Sequence, residues 1–320
     1  MIIYAKIALA SLKTTKNFVF IQEDSKKVAS LYIGIILLTR VAQQICSKYK
    51  SMLFPKSIYG VAKLMAFTNL LSAIPAVILM LLGGKTVINF HTIITSALSG
   101  VGIVFGSICG LVSMKSGTMV LSSMFGTAGL IVPCIAGIFL FAEPMSWLQW
   151  LGIVVLIASS LLLISSAKQI NPQFSFKTVF CLLGSFLANG LTMLMQMIFS
   201  RSSEGDSVSM FSFFTFAIPC LAMVLLSVVL HRQPPADNEK LPKKLLLFAA
   251  GAGVAVFIVN QLATLASGFV PPAILFAFIN GGNTMIAALV AAILFGEKLT
   301  VKSIIGLLLG VASLIIIKAF

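Results

Sequence analysis

Charge is scarce in this chain of 320 residues, at 9%, and negative charge is scarcer still. The 8 acidic residues are Glu23, Asp24, Glu143, Glu204, Asp206, Asp237, Glu239 and Glu297, set against 22 Lys plus Arg. A soluble domain carries about a quarter of its residues charged. Here 59% are hydrophobic and the mean hydropathy is +1.10. A water-soluble enzyme is thereby excluded. The net charge of +14 belongs to loops facing anionic lipid; a nucleic-acid footprint would need a basic patch on a soluble face.

Other absences narrow the field further. Cysteine is sparse and odd in number: Cys46, Cys109, Cys134, Cys181 and Cys220 all fall in apolar stretches, with no CxxC pair. Such residues act as small packing groups, so neither a disulfide framework nor a metal site is expected. No GxxxxGK[ST] occurs, which excludes ATP-driven transport by this chain alone. His91 and His231 sit at the ends of apolar stretches without paired carboxylates, and no intramembrane acid pair exists, so an intramembrane enzyme is not expected. No segment alternates with the period of two that a membrane-spanning barrel requires. No cofactor is expected either.

What the chain does have is long apolar runs. A helix needs about 20 mostly apolar residues to cross the hydrocarbon layer. Ten stretches qualify, near 30–48, 61–82, 92–113, 117–141, 146–167, 176–199, 208–230, 243–266, 270–294 and 301–319. The expected fold is an all-α polytopic membrane protein, and the expected location is the plasma (inner) membrane. Residues 1–29 carry Lys6, Lys13 and Lys16 and read as an interfacial or disordered leader. Between the stretches, the longest loop is His231–Lys244, too short for a soluble domain.

The two halves repeat. Phe141-Ala142-Glu143, with Gly152, Ala158 and Ser159 after it, matches Phe295-Gly296-Glu297 with Gly306, Ala312 and Ser313, at a constant offset of 154 residues. Ser113–Glu143 lies over Ser267–Glu297 at the same offset without a gap. Upstream, Ala73-Ile74-Pro75 matches Ala217-Ile218-Pro219 at an offset of 144, and the difference falls in the His231–Lys244 loop. Residues 30–168 and 174–320 then form two repeats of five helices. An odd number of spans per repeat forces opposite orientations, the architecture of many secondary transporters with a midplane site between the halves.

The segment from Ile274-Leu275-Phe276-Ala277-Phe278 through Leu294-Phe295-Gly296-Glu297-Lys298-Leu299 to Ile304-Ile305-Gly306 resembles the end of an EamA-like protein of the drug/metabolite transporter superfamily. The likeness extends over residues 30–320, with a weaker copy at 117–164. It implies ten helices, both termini cytoplasmic, a central cavity and carriage of small metabolites. The same phrase is similar to the last helices of small multidrug resistance proteins. Those carry a membrane-embedded Glu in the first helix, whereas this chain has none there. Lys and Arg outside the helix centres are more numerous on the side opposite the termini, against the orientation the family implies.

Polar residues at membrane depth mark cavities or pathways. Arg40, Gln43, Gln44 and Ser47 follow at i, i+3, i+4 and i+7 on one helical face. A guanidinium beside amides suits a carboxylate or phosphate; otherwise Arg40 snorkels or bonds helix-end carbonyls. Asn189 and Gln196 share a face with Met193, and an offset of 153 sets Gln196 opposite Gln43, so the two glutamines are expected to face each other. Asn280-Gly281-Gly282-Asn283 places two amides one turn apart around a glycine pair, and Asn260-Gln261 offers one inward amide. Glu143 and Glu297 read as caps at the starts of the fifth and tenth helices. Gly102, Gly106 and Gly110, with Gly306 and Gly310, form ridges for close packing, within a monomer or between protomers of a homodimer. Pro75, Pro133 and Pro219 are expected to kink their helices.

The expected function is secondary transport, by alternating access, of a small polar or amphiphilic metabolite that is amino-acid-like or an organic acid. The expected partners are that substrate and the lipid bilayer, with no nucleic acid. Multidrug efflux of lipophilic cations and nucleotide-sugar transport are the alternatives within the superfamily. For the latter, Arg40 and Lys115 are the candidate cavity cations.

Overall fold

The computed structural model describes residues 31–83, 89–116, 119–141, 146–170, 175–202, 207–231, 241–267 and 272–319. The leader at 1–29, Glu143 and Pro271 lie outside them. Among the described residues every regular element is helical. This suits a lipid environment, where backbone polar groups must be satisfied within the segment. Helix α1 covers residues 31–52. After it come α2 (Ile58–Leu82), α3 (Phe90–Ser116), α4 (Met119–Ala128), α5 (Ile131–Phe141), α6 (Trp147–Ile170), α7 (Phe176–Ser202), α8 (Val208–His231), α9 (Lys243–Ala266), α10 (Pro272–Phe295) and α11 (Val301–Ala319).

Among the described residues seven helical stretches, Met119–Gly137 counted as one, are long and apolar enough to cross a membrane, and Ile279–Phe295 and Val301–Ser313 are shorter apolar stretches. The chain is an integral membrane protein of helical class. Helix α1 is not among the seven, because Arg40, Gln43, Gln44 and Lys48 dilute its apolar run.

Local chemistry sets the helix ends. Ser57 accepts the Gly60 amide at 3.0 Å and starts α2. Gly296, at φ 61, takes the left-handed conformation that favours glycine and ends α10, with the Glu297 amide donating to the Ala291 carbonyl at 2.9 Å. The expected fourth span is broken at Gly129-Leu130 into α4 and α5. A Cβ on Gly129 would lie 2.7 Å from the Gly190 nitrogen and the Phe186 carbonyl oxygen, so the break lets the chain press directly on the α7 backbone. Pro75 and Pro219, expected as kinks, stay inside continuous helices.

The packing is organised in pairs: α2 against α8, α6 against α11, α3 against α7, α2 against α9, α3 against α8 and α4 against α10. The largest apolar cluster centres on α4 and α10, with Met119, Leu121, Met124, Leu275, Ala287 and Ala291 fully buried. Outward faces are equally apolar. Val154, Ile157 and Leu161 on α6, and Leu221, Leu225 and Val228 on α8, are all exposed at helical spacing, as lipid contact requires.

The glycine ridge of α3 packs within the chain. A Cβ on Gly102 would meet Thr192 Oγ1 at 2.5 Å and the Ala188 carbonyl at 2.7 Å, and Gly106 abuts Ala188 and Asn189. Both touch α7. Gly306 and Gly310 instead face Leu163 and Ser159 of α6, and Gly310 also faces Met124 of α4.

Candidate functional site

Seven helices contribute to one cavity of about 210 Å³. Helix α1 supplies a stripe of Arg40, Gln43, Gln44, Ser47 and Lys50, spaced at helical period so that all point to one side. Helix α7 supplies Ser185, Asn189, Thr192, Met193 and Gln196, by the same spacing. Asn260 comes from α9, and Asn280 and Asn283 from α10; α2, α3 and α4 complete the wall, with Thr68, Asn69, Ser107, Ser122 and Gly126 among their residues. The eight residues singled out by sequence, Arg40, Gln43, Gln44, Asn189, Gln196, Asn260, Asn280 and Asn283, thus all line this one space. Gln261 turns the other way, toward α8, accepting from Ser212 Oγ at 2.6 Å and donating to Ser209 Oγ at 3.2 Å.

Polar groups tie the wall across helices. Gln44 Nε2 donates to Asn283 Oδ1 at 2.8 Å, joining α1 to α10. Gln196 Nε2 donates to Asn260 Oδ1 at 2.7 Å and to Thr264 Oγ1 at 3.2 Å, joining α7 to α9. The expected meeting of Gln43 with Gln196 is replaced by these pairs. Gln43 Oε1 instead accepts from Arg40 Nη1 at 2.8 Å, within its own helix. Asn189 Nδ2 donates to the Ser185 carbonyl at 2.8 Å, and Asn280 Nδ2 to Met193 Sδ at 3.4 Å. Three buried atoms in the wall have no protein partner: Arg40 Nε, Gln44 Oε1 and Asn260 Nδ2. Such atoms are expensive to leave unmade, which marks them as groups that a bound molecule or water completes.

The electrostatics is one-sided. Arg40 and Lys50 line the cavity, and among the described residues no carboxylate does. Glu297 is the sole acidic residue described, and it is engaged elsewhere. It pairs with Lys48 Nζ at 2.5 Å and accepts the Met119 amide at 3.1 Å. Glu297 therefore caps the start of α4, rather than the helix that follows it in sequence, and ties α1 to that end.

Three sequence readings are corrected by this arrangement. Lys48 and Lys50, which belong to the charges outside the helix centres on the side opposite the termini, are 8% and 3% exposed within a helix that runs to residue 52. The charge comparison between the two faces loses both. Lys115, proposed as a cavity cation, is exposed and off the wall. Lys50 is the second cavity cation, and it continues the α1 stripe three residues beyond Ser47. Placing the end of the span at residue 48 hid it. Thr68, Asn69 and Ser72 on α2 were missed as well, because small polar residues within an apolar run are equally common as packing groups.

No family model matches the sequence, and no curated protein matches it. Solved structures do match: 25 chains in all. One of them, described only as a crystal structure of a protein, superposes with a TM-score of 0.57 at 14% identity, covering 88% of this chain and 97% of its own. The likeness concerns the fold over nearly the whole length of both chains.

Proposed function

We propose that the chain is a secondary transporter for a small carboxylate-bearing metabolite, amino-acid-like or an organic acid, and that it belongs with the EamA-like proteins it resembles. In this reading ten helices form two inverted repeats of five, at residues 30–168 and 174–320, and substrate reaches the cavity alternately from either side. The site then lies between the halves, and the membrane is the plasma (inner) membrane.

The observation that carries the proposal is the central cavity, positively charged and amide-lined, in which helices of both halves converge. The packing pattern supports the repeat. Inverted duplication equates α2 with α8, α3 with α9 and α6 with α11, so that α2–α8 and α6–α11 are self-paired while α2–α9 and α3–α8 exchange. These four contacts all occur. Lipophilic-cation efflux draws no support from a wall with two cations and no described carboxylate. Nucleotide-sugar transport remains the second reading, favoured by Lys50 as a second cation.

Thermal stabilisation of the purified protein tests the proposal. A ligand at about 100 times its Kd adds about 2.7 kcal/mol to the folded state. Amino acids, organic acids, nucleotide sugars and lipophilic cations are compared on wild type and Arg40→Gln. Carboxylates should raise the melting temperature of wild type by several degrees and leave Arg40→Gln unmoved. Stabilisation by lipophilic cations, retained in the variant, would overturn the assignment.

A further inference from the structure

Three cations sit along the inner part of α1, and the fold treats them differently. Lys48 is neutralised by Glu297. Lys50, only 3% exposed, has no acid beside it among the described residues. Its ammonium reaches Thr68 Oγ1 at 3.4 Å, long against the roughly 2.7–2.9 Å of a charge-assisted bond. An ammonium has three donors to place, so most of that capacity stays open toward the cavity. Arg40 is in the same condition: Nη1 bonds a neutral amide, and Nε is buried with no partner. Two charges kept in a protein interior without counter-charge are costly. The cost is offset if the molecule that fills the cavity brings the counter-charge with it.

The two positions are ten residues apart on one helix, which the helical rise converts to about 15 Å between their Cα atoms. Their side chains shorten that gap. Arg40 Nη1 lies 2.8 Å from the side-chain oxygen of Gln43, three residues closer to Lys50, and a helical side chain at position 50 leans back toward the N-terminus. Between them lies Gln44, whose Oε1 is also unpartnered.

We propose that Lys50 forms a second anion site in the cavity, and that the preferred substrate is a small dianion with two separated acidic groups, one held at Arg40 and the other at Lys50. This rests on the transport reading above and narrows it: dicarboxylates and phosphorylated carboxylic acids are favoured over monocarboxylates and zwitterionic amino acids. Lys50 selects between these classes, and Arg40 holds the group they share.

The test uses the full-length protein in detergent, with succinate, phosphoenolpyruvate and butyrate as probes and affinity read from concentration-dependent thermal stabilisation. Wild type should bind at least one dianion about tenfold or more tighter than butyrate, as one good charge-assisted contact requires. Lys50→Gln should bring that dianion down to the level of butyrate. Lys50→Arg should restore much of the preference, which shows that charge rather than fold is at issue. Arg40→Gln should weaken all three probes. A wild type that binds butyrate and the dianions equally, or a preference that survives in Lys50→Gln, overturns the second site while leaving anion transport standing. A wild type that none of the three stabilises also overturns the second site, while the transport reading stands or falls on the wider panel above.

Discussion

Glycine gives the sharpest contrasts at the scale of single residues, because its cost depends on what a Cβ would meet. At Gly102 the added carbon would lie 2.5 Å from Thr192 Oγ1 and 2.7 Å from the Ala188 carbonyl, and a backbone oxygen cannot swing aside. Gly102→Ala is expected to destabilise by about 1–3 kcal/mol, as overpacking does, with a matching fall in melting temperature. A Cβ on Gly34, in α1, would have nothing within 4 Å of it. Gly34→Ala is expected to be neutral or to stabilise by up to about 1 kcal/mol through helix propensity. Equal melting temperatures for the two variants would show that α3 does not press on α7 as described. The same distinction governs the amides. Gln44 and Gln196 are buried and bonded across helices, whereas Gln43 serves Arg40 on its own helix.

Glu297 binds together elements that are remote in sequence. Its carboxylate sits where the positive end of α4 adds to the attraction of Lys48, and the pair is only 10% and 16% exposed at its side chains. Removing one member strands the other. Glu297→Gln should therefore cost about 3 kcal/mol, and Lys48→Met with Glu297→Gln should cost less than the sum of the two single changes. Additive losses in that double-mutant cycle would mean that the two groups do not interact. The sequence marked Glu297 as a cap from its place before the last apolar run. The helix it caps could not be read there, since α4 begins 178 residues earlier.

For the whole molecule, the proposed ten-span topology would place successive loops on alternate sides. Cysteines introduced at Lys56 and Lys298, both exposed, should then react with an impermeant thiol reagent from one face of the membrane. A cysteine at the exposed Asn89 should react from the other. The background for this experiment lacks the five native cysteines. Labelling of all three positions from the same face would refute the ten-span topology, whatever the cavity binds.

Composition and pattern together indicated that this chain lives in a membrane and crosses it as helices, because in lipid only helices and closed barrels satisfy their backbone hydrogen bonds and its apolar runs lack the period of two that a barrel requires. The helical period showed which polar side chains travel together: Arg40, Gln43, Gln44 and Ser47 on α1, and Asn189 and Gln196 on α7, were legible, and the structure brings both stripes onto one cavity, extended by Lys50, Ser185 and Thr192. What periodicity cannot express is which stripe meets which. The pairing of Gln44 with Asn283 and of Gln196 with Asn260 depends on helix contacts between distant parts of the chain. So does the division of labour between two neighbouring lysines. In sequence Lys48 and Lys50 are near equivalents at the end of an apolar run. Tertiary packing gives one of them a carboxylate and leaves the other facing the cavity, because a helix turns by about 100° per residue and two steps carry a side chain from one neighbour to another.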